Sequence, residues 1–138
     1  MVGNAEATPE DLDLAQSMLE AIGQVVRLRS EDQIDAVTGI SGSGPAYIFY
    51  MIDTLAAAAR AEGLPADMAM QLAKATVAGA GALAEQSDDS PEQLRINVTS
   101  PNGTTQAGVE GLMGENGLAQ LMRRTVAAAT HRSRELRK

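Results

Sequence analysis

Three stretches of the 138-residue chain carry residue types and spacings that could do chemistry. The first is Val98-Thr99-Ser100-Pro101-Asn102-Gly103-Thr104-Thr105. Pro at the second and Asn at the third position of a turn favour a β-turn. Hydroxyls and unpaired N–H groups then meet the positive end of the helix expected after Thr104. Such a nest can hold a carboxylate without Arg or Lys. The competing reading is that Thr104 or Thr105 only caps its own helix. The second stretch is Ser41-Gly42-Ser43-Gly44-Pro45. Its glycines before a helix start either offer N–H groups to an anion or make a tight turn packed by another backbone. The third, Gly79-Ala80-Gly81-Ala82-Leu83-Ala84, fits the dinucleotide pattern G-x-G-x-x-G/A. That pattern cradles a pyrophosphate only after a strand. Here Met70 to Ala75 reads as helix, so close packing of a neighbour is the expectation.

Composition narrows the chemistry further. The absence of Cys excludes disulfides, thiolate metal sites and thiol nucleophiles. The single His131 excludes a multi-His metal site. A net charge of -7 opposes general nucleic-acid binding. The sequence has no apolar run long enough for a membrane span, and its first residues lack a signal pattern, so a cytoplasmic protein is expected. The tail cations Arg123, Arg124, Arg132, Arg134, Arg137 and Lys138 read as a solvated helix end, or as a face for an acidic partner. The paired acids Glu31-Asp32 and Asp88-Asp89 lie at polar helix boundaries and do not by themselves make a catalytic pair.

The elements that must position these residues are mostly helical. Thr8-Pro9-Glu10-Asp11 reads as a helix start, and Gly23 as its stop. Val25, Val26 and Leu28 suggest a short strand over Gln24–Arg29. Ser30 to Gln33 has capping-box spacing before a short helix at Ile34. The Gly39–Gly44 segment interrupts the helical pattern. Long helices then follow to about Glu62 and from Pro65 to about Gln86. Ser90 to Gln93 opens another helix through Val98, and two more are expected at about 105–113 and 118–136. The expected class is all-α, a helical bundle with one short N-terminal strand. The chain holds 24 alanines and only three aromatics, so the core is made of small side chains and calls for a second copy to complete it.

The run Ile34-Asp35-Ala36-Val37-Thr38-Gly39-Ile40 continuing into Ser41–Tyr47 resembles the pyrroline-5-carboxylate reductases, which make the last step of proline synthesis. Gly63-Leu64-Pro65 is similar to that family's break between long helices, and Leu94-Arg95 through Thr105 to its signature segment. The resemblance runs from about Thr8 to Leu136. It implies a C-terminal domain that interlocks with a second copy, without the N-terminal Rossmann domain that binds NADPH or NADH. Residues 1–29 then correspond to the last helix and strand of the nucleotide-binding domain, and 30–138 to the helical dimerisation and substrate-binding domain. The lone strand would be a remnant of the missing sheet.

The resemblance also implies roles. Ser100, Pro101, Asn102, Gly103, Thr104 and Thr105 form the loop that takes the substrate carboxylate. Thr105 is the catalytic position, bonding the ring nitrogen of 1-pyrroline-5-carboxylate. Glu31 approaches the substrate, and Asn97 touches the cofactor. No metal is implied. Asn102 stands where many relatives have Gly, and Asn tolerates positive φ better than most residues. The implied reaction is hydride transfer from NAD(P)H to the imine, giving L-proline. The isolated chain is expected to dimerise, with higher oligomers such as a decamer in the family, but not to turn over. The alternative is a non-catalytic helical dimerisation module.

Overall fold

A computed structural model describes residues 1–137. Lys138, one of the tail cations, lies outside the described residues. The described residues form seven α-helices: α1 (Pro9–Glu20), α2 (Ile34–Val37), α3 (Gly44–Ala61), α4 (Ala66–Gln86), α5 (Pro91–Asn97), α6 (Thr104–Met113) and α7 (Leu118–Leu136). A 3-10 turn at Glu31–Gln33 precedes α2, and a π-helical turn at Thr38–Gly42 follows it. The all-α class agrees with expectation. Two compact units are present, Met1–Ser43 together with Thr125–Lys138, and Gly44–Arg124.

In the first unit, α1 starts on a complete capping box. The Thr8 hydroxyl accepts the Asp11 N–H at 3.2 Å, and the Asp11 carboxylate accepts the Thr8 N–H at 3.0 Å. That backbone bond, with a second bond from the Thr8 hydroxyl, holds the Asp11 carboxyl below its ordinary value. The helix ends at Glu20, short of the expected stop at Gly23, with Ala21 as its cap. Ile22, left outside the helix, is exposed.

The strand expected over Gln24–Arg29 does not form; no strand is present among the described residues. The Met1 ammonium donates to the Val26 carbonyl at 2.5 Å, and the Leu28 N–H donates to the Met1 carbonyl at 2.8 Å. These bonds leave the segment without a regular ladder, and a lone segment has no other strand to pair with. The capping box expected at Ser30 is also absent. Ser30 makes no side-chain bond to the turn, and Gln33 Oε1 instead accepts the Arg29 N–H at 2.7 Å.

The glycine segment does not break the helical path as expected. A Ser43 N–H to Thr38 carbonyl bond of 2.9 Å spans five residues, so the chain widens into a π turn and then enters α3. Gly39 is buried, and a Cβ there would lie 2.5 Å from Thr130 Oγ1 and 3.2 Å from the Val126 carbonyl oxygen. Close approach to the backbone of α7 therefore explains Gly39. Beside it, Asp35 is only 2% exposed. Its Oδ1 accepts from the Ser133 hydroxyl at 2.8 Å, and its Oδ2 faces Arg137 Nη1 at 3.6 Å and Arg134 Nε at 4.0 Å. Arg132 pairs with Glu135 at 2.8 Å. Several tail cations are thus paired within the first unit.

In the second unit, α3 ends at Ala61, and Gly63 just beyond it has a φ of +96° that lets the Leu64 N–H reach back to the Ala59 carbonyl at 3.1 Å. Helices α3 and α4 pack through small residues, with Ala56, Ala69 and Ala73 buried. The aromatics of α3 stay outside: Phe49 is 65% and Tyr50 71% exposed. Ile48, Leu55, Met68 and Leu72 are also exposed on these two helices. Gly79 and Gly81 sit inside α4, where added Cβ atoms would meet nothing within 4 Å. Packing by a neighbour, expected there from the sequence, is not supplied by the described residues.

Candidate anion-binding site

The segment after α5 is built by its own side chains. Ser90 Oγ accepts the Gln93 N–H at 3.1 Å and starts α5, with Pro91 in its first turn. At the end of α5, the Thr99 hydroxyl donates to the Arg95 carbonyl at 2.6 Å, and the Thr99 N–H to the Ile96 carbonyl at 3.0 Å. The chain then reverses. The Gly103 N–H donates to the Ser100 carbonyl at 3.1 Å and closes a β-turn. Pro101 is its second residue, and Asn102 its third, at φ +59°. Pro followed by a residue at positive φ is the pattern of a type II turn. Gly103 is required by close approach, because a Cβ there would lie 2.4 Å from Ser100 Oγ and 3.0 Å from the Ser100 carbonyl oxygen.

Helix α6 begins immediately, with Gly103, which has no side chain to offer, at the cap position. Thr104 and Thr105 therefore do not cap their own helix, and the competing reading falls. The Ala107 N–H donates to the Gly103 carbonyl at 3.3 Å, the first bond of the helical ladder. The N–H groups of Thr104, Thr105 and Gln106 precede that bond and have no acceptor within the helix. They converge at the positive end of a ten-residue helix. Thr104 and Thr105 are exposed, and neither hydroxyl has a hydrogen-bond partner among the described residues.

The six-residue loop is thus not uniformly available to an anion. Pro101 has no N–H. The Asn102 N–H is taken by Gln106 Oε1 at 2.8 Å, and the Gly103 N–H by the turn. Open donors concentrate at Thr104, Thr105 and Gln106. Sequence reasoning missed Gln106. Its signal was available in the four-residue spacings Asn102–Gln106 and Gln106–Glu110, and Gln106 Nε2 donates to Glu110 Oε1 at 2.8 Å.

Asn97 ends α5 with its amide engaged on both sides. It accepts from Gln93 Nε2 at 2.7 Å and donates to Asp89 Oδ2 at 3.1 Å. Glu31 lies exposed in the 3-10 turn of the first unit, while Asn97 and the loop belong to the second. The glycine pattern at Gly79–Ala84 lies within α4, so it is not the strand-to-helix turn that binds a pyrophosphate. That stretch of α4 does not fit a dinucleotide's phosphates.

Comparison with known proteins agrees along the chain. A family model described as pyrroline-5-carboxylate reductase dimerisation matches residues 31–136. The pyrroline-5-carboxylate reductase of Pisum sativum is 46% identical over 131 residues, covering 94% of this chain and 47% of that protein. The one from Synechocystis is 41% identical over 138 residues, covering 100% and 51%. The solved pyrroline-5-carboxylate reductase of Coxiella burnetii superposes with a TM-score of 0.91 at 39% identity, covering 98% of this chain and 50% of that one. A Plasmodium falciparum pyrroline carboxylate reductase with NADP bound gives 0.80 at 28% identity, covering 94% and 49%. The chain spans about half the length of the relatives it matches. With a matched family model over most of its length, the chain belongs to the pyrroline-5-carboxylate reductase dimerisation family.

Proposed function

We propose that this chain is the dimerising, substrate-binding half of a reductase that converts 1-pyrroline-5-carboxylate to L-proline with NAD(P)H. The carrying observation is the trio of open amides at Thr104, Thr105 and Gln106, set behind a type II turn. In this reading they take the substrate carboxylate, with Ser100 to Gly103 shaping the entrance. The Thr105 hydroxyl donates to the ring nitrogen. A hydrogen-bonded imine is more electrophilic at carbon, so orientation and one donor are the main requirements on this chain. Asn97 meets the cofactor at its edge, and Glu31, on the first unit, is a further candidate substrate contact. The dinucleotide's phosphates belong to protein outside this chain. Residues 1–29 are the closing segment of the nucleotide-binding domain, which the start of the family match at residue 31 supports.

The chain pairs with a second copy, and dimers assemble further, as in a decamer. Exposed Phe49 and Tyr50 on an otherwise alanine-packed helix pair support this. A cytoplasmic location belongs to the same reading.

Calorimetric titration of the chain tests the assignment. L-proline should bind, and prolinamide, which lacks the carboxylate, should bind far less. Thr105→Val should weaken proline by about threefold to tenfold, the loss of one hydrogen bond. With NADPH and substrate, the isolated chain should not turn over. Equal binding of proline and prolinamide, or no binding of proline, contradicts the substrate site and leaves a helical dimerisation module.

A further inference from the structure

We infer that Gln106, fixed by Glu110, is a positioning residue that clamps the turn at Asn102 and so sets the open amides of α6. The inference rests on the substrate-site reading above and assigns a role to a residue that does not itself hold the ring. Asn102 is at φ +59°, the single non-glycine residue at positive φ among the described residues. That conformation costs most L-residues about 1–2 kcal/mol; Asn bears it at a smaller cost, and a bond to its N–H holds it further in place. The support is visible. The Asn102 N–H donates to Gln106 Oε1 at 2.8 Å, and Gln106 Nε2 donates to Glu110 Oε1 at 2.8 Å.

The two bonds fix the orientation of the Gln106 amide. The Asn102 N–H needs an oxygen, and the Glu110 carboxylate needs a donor, so only one orientation serves both. A glutamine on an exposed helix would ordinarily sample many rotamers. Here both ends are held, and each bond polarises the other. Gln106 also contributes one of the open N–H groups, so its side chain ties the turn to the backbone of the site itself.

This arrangement explains why Asn can stand at 102. Glycine takes positive φ without steric cost and needs no clamp. Asn takes it less freely than Gly though better than most residues, and the glutamine four residues later holds it there.

Three versions of the full chain test the role: the unaltered chain, Gln106→Leu, and Gln106→Leu combined with Asn102→Gly. Backbone scalar couplings and amide exchange at Asn102 report the clamp without any ligand. In Gln106→Leu, the Asn102 N–H should lose its protection and its couplings should leave the positive-φ range. Affinity for L-proline should fall by about fivefold to tenfold. Adding Asn102→Gly should restore most of that affinity, although no hydrogen bond has been returned. A merely structural role for Gln106 would not be rescued in this way. Unchanged couplings and exchange in Gln106→Leu overturn the clamp, as does altered Asn102 geometry with unchanged affinity. If the unaltered chain binds no proline while Gln106→Leu still frees Asn102, the clamp stands and the substrate reading fails.

Discussion

The Ser133 hydroxyl donates to Asp35 Oδ1 at 2.8 Å across 98 residues of sequence. The bond ties α2 to the last turns of α7 within the first unit. Asp35 Oδ2 is buried and has no hydrogen bond, although two guanidinium groups stand within 4.0 Å. Those arginines are more than half exposed, so water screens most of their attraction. The bond to Ser133 carries the stabilisation, while burial of the unbonded Oδ2 opposes it. Asp35→Ala should destabilise the chain by about 1–3 kcal/mol. Urea denaturation should record this, with exchange increasing first in α7 around Ser133.

Gly39 has a different reason for its identity. A methyl group there would enter the space of Thr130 Oγ1, at 2.5 Å, and of the α7 backbone beyond it. Gly39→Ala should cost about 1–3 kcal/mol through overpacking, despite alanine's better helix propensity. A melting curve showing stabilisation would contradict the close approach.

Acid should open the start of α1 before it affects the rest. The folded value of Asp11 lies below its unfolded value because the carboxylate accepts the Thr8 N–H and hydroxyl. Its contribution is fully present above the ordinary aspartate range and is lost as pH falls through the folded value. Protection of the Thr8 amide, measured against its intrinsic exchange rate at each pH, should therefore fall on acidification. In Asp11→Asn that pH dependence should disappear.

Self-association should be strong. Three buried alanines are the whole apolar core among the described residues, while Phe49, Tyr50, Ile48 and Leu72 face outward. Sedimentation at micromolar concentration should give at least twice the 14.4 kDa chain mass. A monomer alone under those conditions would contradict the dimer.

Much of this fold could be read from punctuation. Thr8 and Ser90 cap their helices as their types predict, and Gly63 stops α3. Two of the departures share a cause, which is competition among short-range hydrogen bonds. Gln33 turned its side chain to Arg29 and left Ser30 uncapped, and Thr38 accepted a bond from five residues ahead and kept Gly39–Gly44 helical. The turn at Ser100–Gly103 was legible because Pro and Asn each restrict φ in the required sense. Which amides remain open was not legible. That depended on where the Gln106 side chain went, and a long polar side chain has several partners within reach. The burial of Asp35 was hidden for a related reason, since its partner Ser133 lies at the far end of the chain.

The central claim is that a small acid sits on the first-turn amides of α6. Titrating uniformly 15N-labelled chain with L-proline, and following every backbone amide, tests it most directly. Saturable shifts should concentrate at Thr104, Thr105 and Gln106, with smaller ones at Ser100 and Gly103. Shifts confined to other helices, or none at these amides at saturating ligand, would contradict it.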